Sequence, residues 1–310
     1  MLICQVFFLI KFVIFLKRLQ LSGVARNMNI QHIKYKSKYY PKLLRNISAP
    51  PKELFVGGEI PDLPMVAIVG SRRPTDYGRQ VTYRIATDLA RAGICVVSGM
   101  ALGIDGVAHQ AVLEANGKTV AVLGCGLNNP YPTANRHIFN AIIKGSGAVI
   151  SEYQPSMPGL KQNFPARNRI IAGMCLATVV TEADASSGSL ITANFALTEN
   201  RLVMAVPGNV TSTRSAGPNN LLKTGAKPVC DAVDILAELE LVSPNLAPKT
   251  IKADSKEEAQ ILELLNNGVN TTHDLIEHSK INAQQIASIL SLMEITGKIR
   301  NMGAGQWIVR

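Results

Sequence analysis

Charge and aromatic rings are scarce in this sequence of 310 residues: charged residues make up 17%, aromatics 5%, and tryptophan occurs once. The five cysteines (Cys4, Cys95, Cys125, Cys175, Cys230) stand far apart with no Cys-x-x-Cys pair. That excludes a disulfide scaffold or a zinc ribbon. Four of them sit in apolar runs, where buried free thiols are expected, and a reducing cytoplasm fits. The five histidines (His32, His109, His137, His273, His278) show no metal-ligand spacing, so neither metal nor cofactor is expected. Walker A and Gly-x-Ser-x-Gly motifs are missing, and no catalytic nucleophile, base or metal set declares itself. The dinucleotide fingerprint fails as well. Gly124-Cys-Gly126 lacks its third glycine, and Ser98-Gly99 stands where a ribose-binding acid would be. No apolar run reaches the roughly twenty residues of a membrane span. The run Leu2 to Leu16 is broken by Gln5 and Lys11, and Lys17 and Arg18 follow it rather than precede it, against a signal peptide. Two expectations stand for this segment: the remainder of an N-terminal helical module, or translation from upstream of a true start at Met28.

What is present is a chain rich in apolar residues (47%) and glycine (24 residues), long enough for about two domains. The formal net charge is +10, but residues 1–60 carry +8 of it and residues 61–240 only +2. A basic balance favours a polyanionic partner. In the near-neutral middle, any anion site must come from a local arrangement of a few cations.

From Pro64 short β-branched runs alternate with helical stretches. The runs are MVAIVG (65–70), ICVVSG (94–99), TVAVLG (119–124), GAVISE (147–152), LATVVTE (176–182) and RLVMAVPG (201–208). Helices are expected near 77–92, 104–115, 134–143, 166–173, 189–199 and 217–223. Apolar runs without strict alternation imply strands covered on both faces. Right-handed crossovers then give a doubly wound, mostly parallel α/β sheet of Rossmann-like type. Each run ends in small or polar residues, so these loops line the carboxyl edge, where such folds bind ligands.

Cations return to that edge at particular places. Arg72 and Arg73 follow Gly70-Ser71, where a backbone nest and a guanidinium can share one phosphate. Arg136 and Phe139 lie three apart on one helix. The ring is open to two readings, a platform for a nucleobase or a core aromatic. FPARNRIIAG (164–173) brings Arg167 and Arg169 onto a loop entering a helix, and Ser186-Ser187-Gly188-Ser189 with Thr192 begins the next one. His109, four beyond Asp105, is expected to share a local network with it at a helix start.

Taken together, these stretches resemble the DprA/Smf family of DNA-processing proteins of natural transformation. The matching segments include VGSR (69–72), SGMALGIDGVAHQ (98–110), TVAVLGCGLNNPYPTAN (119–135), FPARNRIIAG (164–173), EADASSGSLITANFA (182–196), AVPGN (205–209) and NNLLKTGA (219–226). The resemblance implies an extended Rossmann-like core that binds single-stranded DNA, shields it and helps load RecA recombinase. It also implies a homodimer without established catalytic activity. Carried over, the phosphate-gripping loop is Gly70, Ser71 and Arg72, the basic and aromatic pair is Arg136 and Phe139, and Arg167, Asn168 and Arg169 form the RNR motif. Ser187, Gly188 and Thr192 complete the expected nucleic-acid site. Leu102 stands where some members carry a cation, which either weakens this part of the pocket or leaves Lys223 and Arg136 to compensate.

Beyond a Pro- and Lys-bearing linker (243–256), residues 257–310 read as three short helices and a two-stranded wing around Gly303-Gly305. This is a winged-helix-like domain following the Rossmann-like domain (61–242) and the basic lead-in (1–60). Residues 282–296 contain no Lys or Arg, whereas a DNA-reading helix wants cations. A protein-contact or packing role is therefore expected, with Lys298 and Arg300 as wing cations and Trp307 as a core anchor. A rival from the enzyme class is a nucleotide phosphoribohydrolase using Glu182, although the usual Pro-Gly-Gly loop of that group is replaced by Ser186-Ser187-Gly188.

Overall fold

The computed structural model describes residues 29–241 and 251–309. The apolar N-terminal segment, Cys4, the candidate start Met28 and residues 243–250 of the expected linker lie outside the described residues.

The six apolar runs form strands β3 (Met65–Val69), β4 (Cys95–Ser98), β5 (Thr119–Val122), β6 (Gly147–Ser151), β7 (Ala177–Val180) and β8 (Leu202–Ala205). Two further strands precede them, β1 (Ile30–Lys34) and β2 (Glu53–Gly58), and a short β9 (Lys227–Pro228) follows. The nine strands make one sheet in the order β1-β2-β6-β5-β4-β3-β7-β8-β9. From β6 to β9 every pair is parallel, while β1 and β2 add an antiparallel hairpin at one edge. Part of the basic lead-in thus belongs to the sheet.

Alternate residues of β3 serve two cores. Met65, Ala67 and Val69 face one side, with Leu44, Ile170, Ile171 and Ala193 from α1 (Lys42–Arg45), α5 (Asn163–Met174) and α6 (Gly188–Thr198). Val66 and Ile68 face the other. Ile85, Leu89, Ile104, Val112 and Ile235 meet them from α2 (Asp76–Arg91), α3 (Ile104–Glu114) and α8 (Ala232–Glu238). Full cover on both faces is why the strands read as unbroken apolar runs. Two more helices complete this domain, α4 (Arg136–Ala141) after β5 and α7 (Ala216–Lys223) after β8.

Helix starts follow local capping chemistry. The Thr75 hydroxyl accepts from Gly78 N–H at α2, and Ser255, Thr271 and Asn282 do the same work for α9 (Lys256–Asn266), α10 (Thr272–Ser279) and α11 (Ala283–Ile295). With the wing strands β10 (Ile299–Gly303) and β11 (Gln306–Val309), these three helices form the winged helix. Trp307 sits in its core among Ile261, Leu265, Leu275, Ile286 and Leu290, and its indole N–H donates to Thr272 Oγ1 at 2.9 Å.

The wing rests on the α2 and α3 face of the sheet domain. Met302 and Ile308 pack against that core, Arg300 pairs with Glu114, and Gln80 donates to Gln306 at 2.9 Å. The other wing cation, Lys298, is held by Asp254 and Glu258 within its own domain. Among the described residues no helix is long and apolar enough to cross a membrane. Cys95, Cys125 and Cys175 are buried free thiols, and Cys230 is exposed.

Candidate functional site

Strand order reverses between β3 and β7, so the loops leaving these two strands part to opposite faces and open a crevice at their carboxyl ends. A cavity of about 570 Å³ fills it. Gly70, Ser71, Arg72 and Arg73 after β3 line it, with Ala101 and Asp105 after β4. Phe164, Arg167 and Asn168 come from α5, and Asp184, Ser187, Gly188 and Thr192 from the start of α6. Arg214 comes from the loop after β8. Four guanidinium groups against two carboxylates give the cavity an excess of positive charge.

The floor is set by backbone bonds across the switch point. Ser71 N–H donates to the Glu182 carbonyl at 2.6 Å, and Ile104 N–H to the Ser71 carbonyl at 3.1 Å. A side chain at Gly103, whose φ is +79°, would collide with that same Ser71 carbonyl, so glycine is required where α3 begins. Arg72 and Arg73 are exposed and, among the described residues, make no ion pair.

Arg167 is turned inward. It is 5% exposed, its Nη1 donates to the Gly99 carbonyl at 2.6 Å and to that of Val122, and its Nε donates to Asn168 Oδ1. Asp105, buried beside it, accepts from the N–H groups of Gly99 (3.1 Å) and Ala101 (3.3 Å). Burial pushes the Asp105 carboxyl up and the Arg167 guanidinium down, and each opposes the other's shift. A Cβ at Gly99 would lie 2.7 Å from both groups. The two side chains, held by separate backbone bonds, brace the β4 and β5 loops from within, and both residues line the cavity.

Several expected residues fall elsewhere. Phe139 is 4% exposed and packs with Met100, Leu123, Ile138 and Val149, so the core-aromatic reading holds and base stacking on this ring is ruled out. Its side of α4 is set by Ile138, Phe139 and Ile142, an apolar stripe facing the sheet. Arg136 is half-buried at the start of α4, on the carboxyl edge but outside the cavity lining. The preceding Asn135 anchors that start to the carbonyls of Met100 and Ala101.

Arg169 lies within α5, not on a loop, and forks onto Glu152 at 2.8 and 2.6 Å, away from the cavity. Lys223 closes α7, which carries the chain about 12 Å back toward the opposite sheet edge, as a crossover helix of eight residues must. It is not among the residues that line the cavity. His109 does not bond Asp105. Its Nδ1 lies 2.7 Å from Thr119 Oγ1, whose own proton goes to the Val96 carbonyl, so Nδ1 carries the imidazole hydrogen.

Two contributors were not anticipated. The aromatic ring at the cavity is Phe164, pressed from behind by Gly124 and Gly159 and tilted against exposed Tyr131. Its signal was the first residue of FPARNR. Arg214 follows the PGN loop that marked the strand end; its Nη1 donates to Ser71 Oγ at 3.0 Å and its Nε lies 3.4 Å from Asp184. Glu182, by contrast, is buried and spent on α2, accepting from Thr75 N–H at 2.8 Å and from the Thr75 hydroxyl.

Comparison with known proteins places this geometry among relatives. The family model described as DNA recombination-mediator protein A matches residues 31–240, and the DprA winged helix domain model matches residues 245–305. DNA processing protein DprA of Bacillus subtilis is 39% identical over 217 residues, 69% of this chain and 73% of that protein. Protein Smf of Synechocystis is 42% identical over 206 residues, 64% of this chain and 52% of that protein. The matched region thus spans from about half to three quarters of the length of these curated relatives.

An X-ray structure of DprA from Streptococcus pneumoniae superposes with a TM-score of 0.65 at 39% identity, covering 71% of this chain and 77% of that one. A structure of DNA processing protein A from Helicobacter pylori, described for its single-stranded DNA binding mode, gives 0.62 at 31% identity, over 69% of this chain and 97% of that one. With its sheet domain and winged helix both matched, the chain belongs to the DprA/Smf family of DNA-processing proteins.

Proposed function

We propose that this chain binds single-stranded DNA at the switch-point cavity, protects it, and as a homodimer in the cytoplasm passes it to RecA recombinase. The observation that carries the DNA-binding reading is the cluster of Arg72, Arg73 and Arg214 around the Ser71 loop, with the Phe164 ring beside it. Cations grip phosphates while a half-buried ring at the cavity wall offers a base a stacking surface, the two elements that sequence-tolerant single-strand binding needs. The cavity size suits nucleotide-scale groups. A duplex, with its bases stacked inward, offers no base to such a ring. The relative from Helicobacter pylori with a described single-stranded DNA binding mode supports the same reading.

Arg136 extends the cationic path along the carboxyl edge, and Asn168, Ser187, Gly188 and Thr192 form the cavity wall. The passage to RecA and the dimer rest on family membership.

The phosphoribohydrolase reading assigns its chemistry to Glu182. Glu182 instead holds Thr75 with both oxygens and does not line the cavity. The proposed role is therefore binding rather than catalysis.

The test is a salt-titrated comparison of labelled single-stranded and duplex oligonucleotides. Preference for the single strand, weakening as salt rises and as Arg72 is replaced by Ala, is the expected result. Equal affinity of wild type and Arg72→Ala would remove the cavity from the reading. Release of free base from nucleoside monophosphates would favour the enzyme.

A further inference from the structure

The cavity wall contains its own anion. Asp184, half-exposed after β7, lies 3.4 Å from Arg214 Nε, and among the described residues this is its carboxylate's ion pair. Arg214 is not free to move with it. Its carbonyl accepts from Ala183 N–H at 2.8 Å, and Gly217 N–H returns to the Ala183 carbonyl at 2.8 Å, strapping the β8–α7 loop to the β7–α6 loop. Its Nη1 is fixed on Ser71 Oγ at 3.0 Å. That hydroxyl oxygen also accepts from Arg73 N–H at 3.1 Å. With both lone pairs used, its proton is left to donate, and the cavity is where an acceptor can reach it.

We propose that Asp184 is an internal stand-in for phosphate: it occupies the Arg214 guanidinium in the empty cavity and is displaced when a DNA phosphate enters. The exchange replaces one carboxylate contact by a phosphate that Arg214 and the Ser71 hydroxyl bind together. A half-exposed ion pair is weak, whereas a fork of charged hydrogen bonds to phosphate is strong, so the phosphate wins the guanidinium and the Asp184 side chain turns to solvent. Asp184 thereby lowers affinity and sets a threshold that a lone weak anion does not pass. The inference rests on the single-strand reading above and names a regulator of that same site.

The experiment measures binding of a fluorescein-labelled oligothymidylate to wild type, Asp184→Asn, Arg214→Ala and the double variant across a salt series, with thermal melts to show that all four fold. Asp184→Asn is expected to bind several-fold tighter. Its plot of log affinity against log salt should steepen by up to about 0.7, because phosphate neutralisation by Arg214 is no longer offset by a released carboxylate. In the Arg214→Ala background the same substitution should give a much smaller gain, since its effect runs through that guanidinium. An equal gain in both backgrounds would show only the long-range field of a removed charge and would overturn the proposal, as would no gain in either. Failure of wild type to bind the strand at all would instead overturn the single-strand reading itself.

Discussion

Phe164 and Tyr131 meet at the cavity mouth with ring centroids 5.8 Å apart and planes inclined at 56°. Phe164 cannot retreat, because Gly124 and Gly159 close on its far side. Phe164→Ala is expected to weaken single-strand binding by about 1–3 kcal/mol, the usual loss for a stacked base, with little change in melting temperature. Phe139→Ala should do the reverse. Its ring is core, so truncation should cost about 3–5 kcal/mol of stability and leave the affinity of the folded protein unaltered. Titration and denaturant unfolding of both variants check this pair of outcomes; a binding loss confined to Phe139→Ala would reject the assignment.

The exchange of Phe139 for Phe164 shows where the sequence was readable. The six parallel strands were legible because each is buried on both faces and reads as one apolar run. β1 was not, since Ile30–Lys34 buries a single residue of five and looks like charged coil. Ile138, Phe139 and Ile142 already carried the core spacing of α4, but a cation three residues away drew the ring toward function. Lys223 was misplaced for a topological reason: a crossover helix starts at the ligand edge and ends at the other. Arg214 sits in a one-turn 3₁₀ helix (Thr213–Ser215), without periodicity to predict where it points.

Arg167 makes a second prediction. Removing its side chain strands the Gly99 and Val122 carbonyls and leaves the buried Asp105 carboxyl facing no cation. Leaving a buried carbonyl without its donor costs about 1–3 kcal/mol, so Arg167→Ala, which strands two, should unfold at markedly lower urea. Arg167→Lys keeps charge but not the fork and should fall between. If Arg167→Ala keeps the wild-type midpoint and loses only DNA binding, the residue is a contact rather than a brace.

His109 predicts a pH dependence. Its ring is fully buried and its Nε2 has no hydrogen-bond partner, so burial lowers its pKa from 6.5 to about 3. The unfolded chain then binds a proton that the folded protein refuses. This stability is complete above pH 6.5 and is lost as pH falls toward 3. Between pH 7 and pH 5 the loss should be about 2 kcal/mol. Asp105, raised by burial, acts in the opposite sense, but it is common to wild type and variant. Urea unfolding of wild type and His109→Gln at the two pH values isolates the imidazole. Parallel pH dependence in the two proteins would exclude it.

The wing supplies the last prediction. Arg300 stacks over the Tyr83 ring, 4.9 Å from its centroid, and pairs with Glu114, which Tyr83 Oη and Gln110 also engage at 2.8 and 2.6 Å. Lys298 is held by Asp254 and Glu258, so both wing cations are spent on protein carboxylates and neither is left for a phosphate. Ile308 adds apolar contact to the same seam. Combining Arg300→Ala with Ile308→Ser removes the charged contact and one of the two apolar contacts, Met302 being the other, while leaving the Trp307 core in place. The expected result is a larger radius of gyration in small-angle scattering with unchanged affinity for single strands. Tighter binding of duplex DNA by this variant would mean that the released wing reads nucleic acid. Identical scattering would mean that Gln80, through Gln306 and Asn270, is enough to hold the domains together.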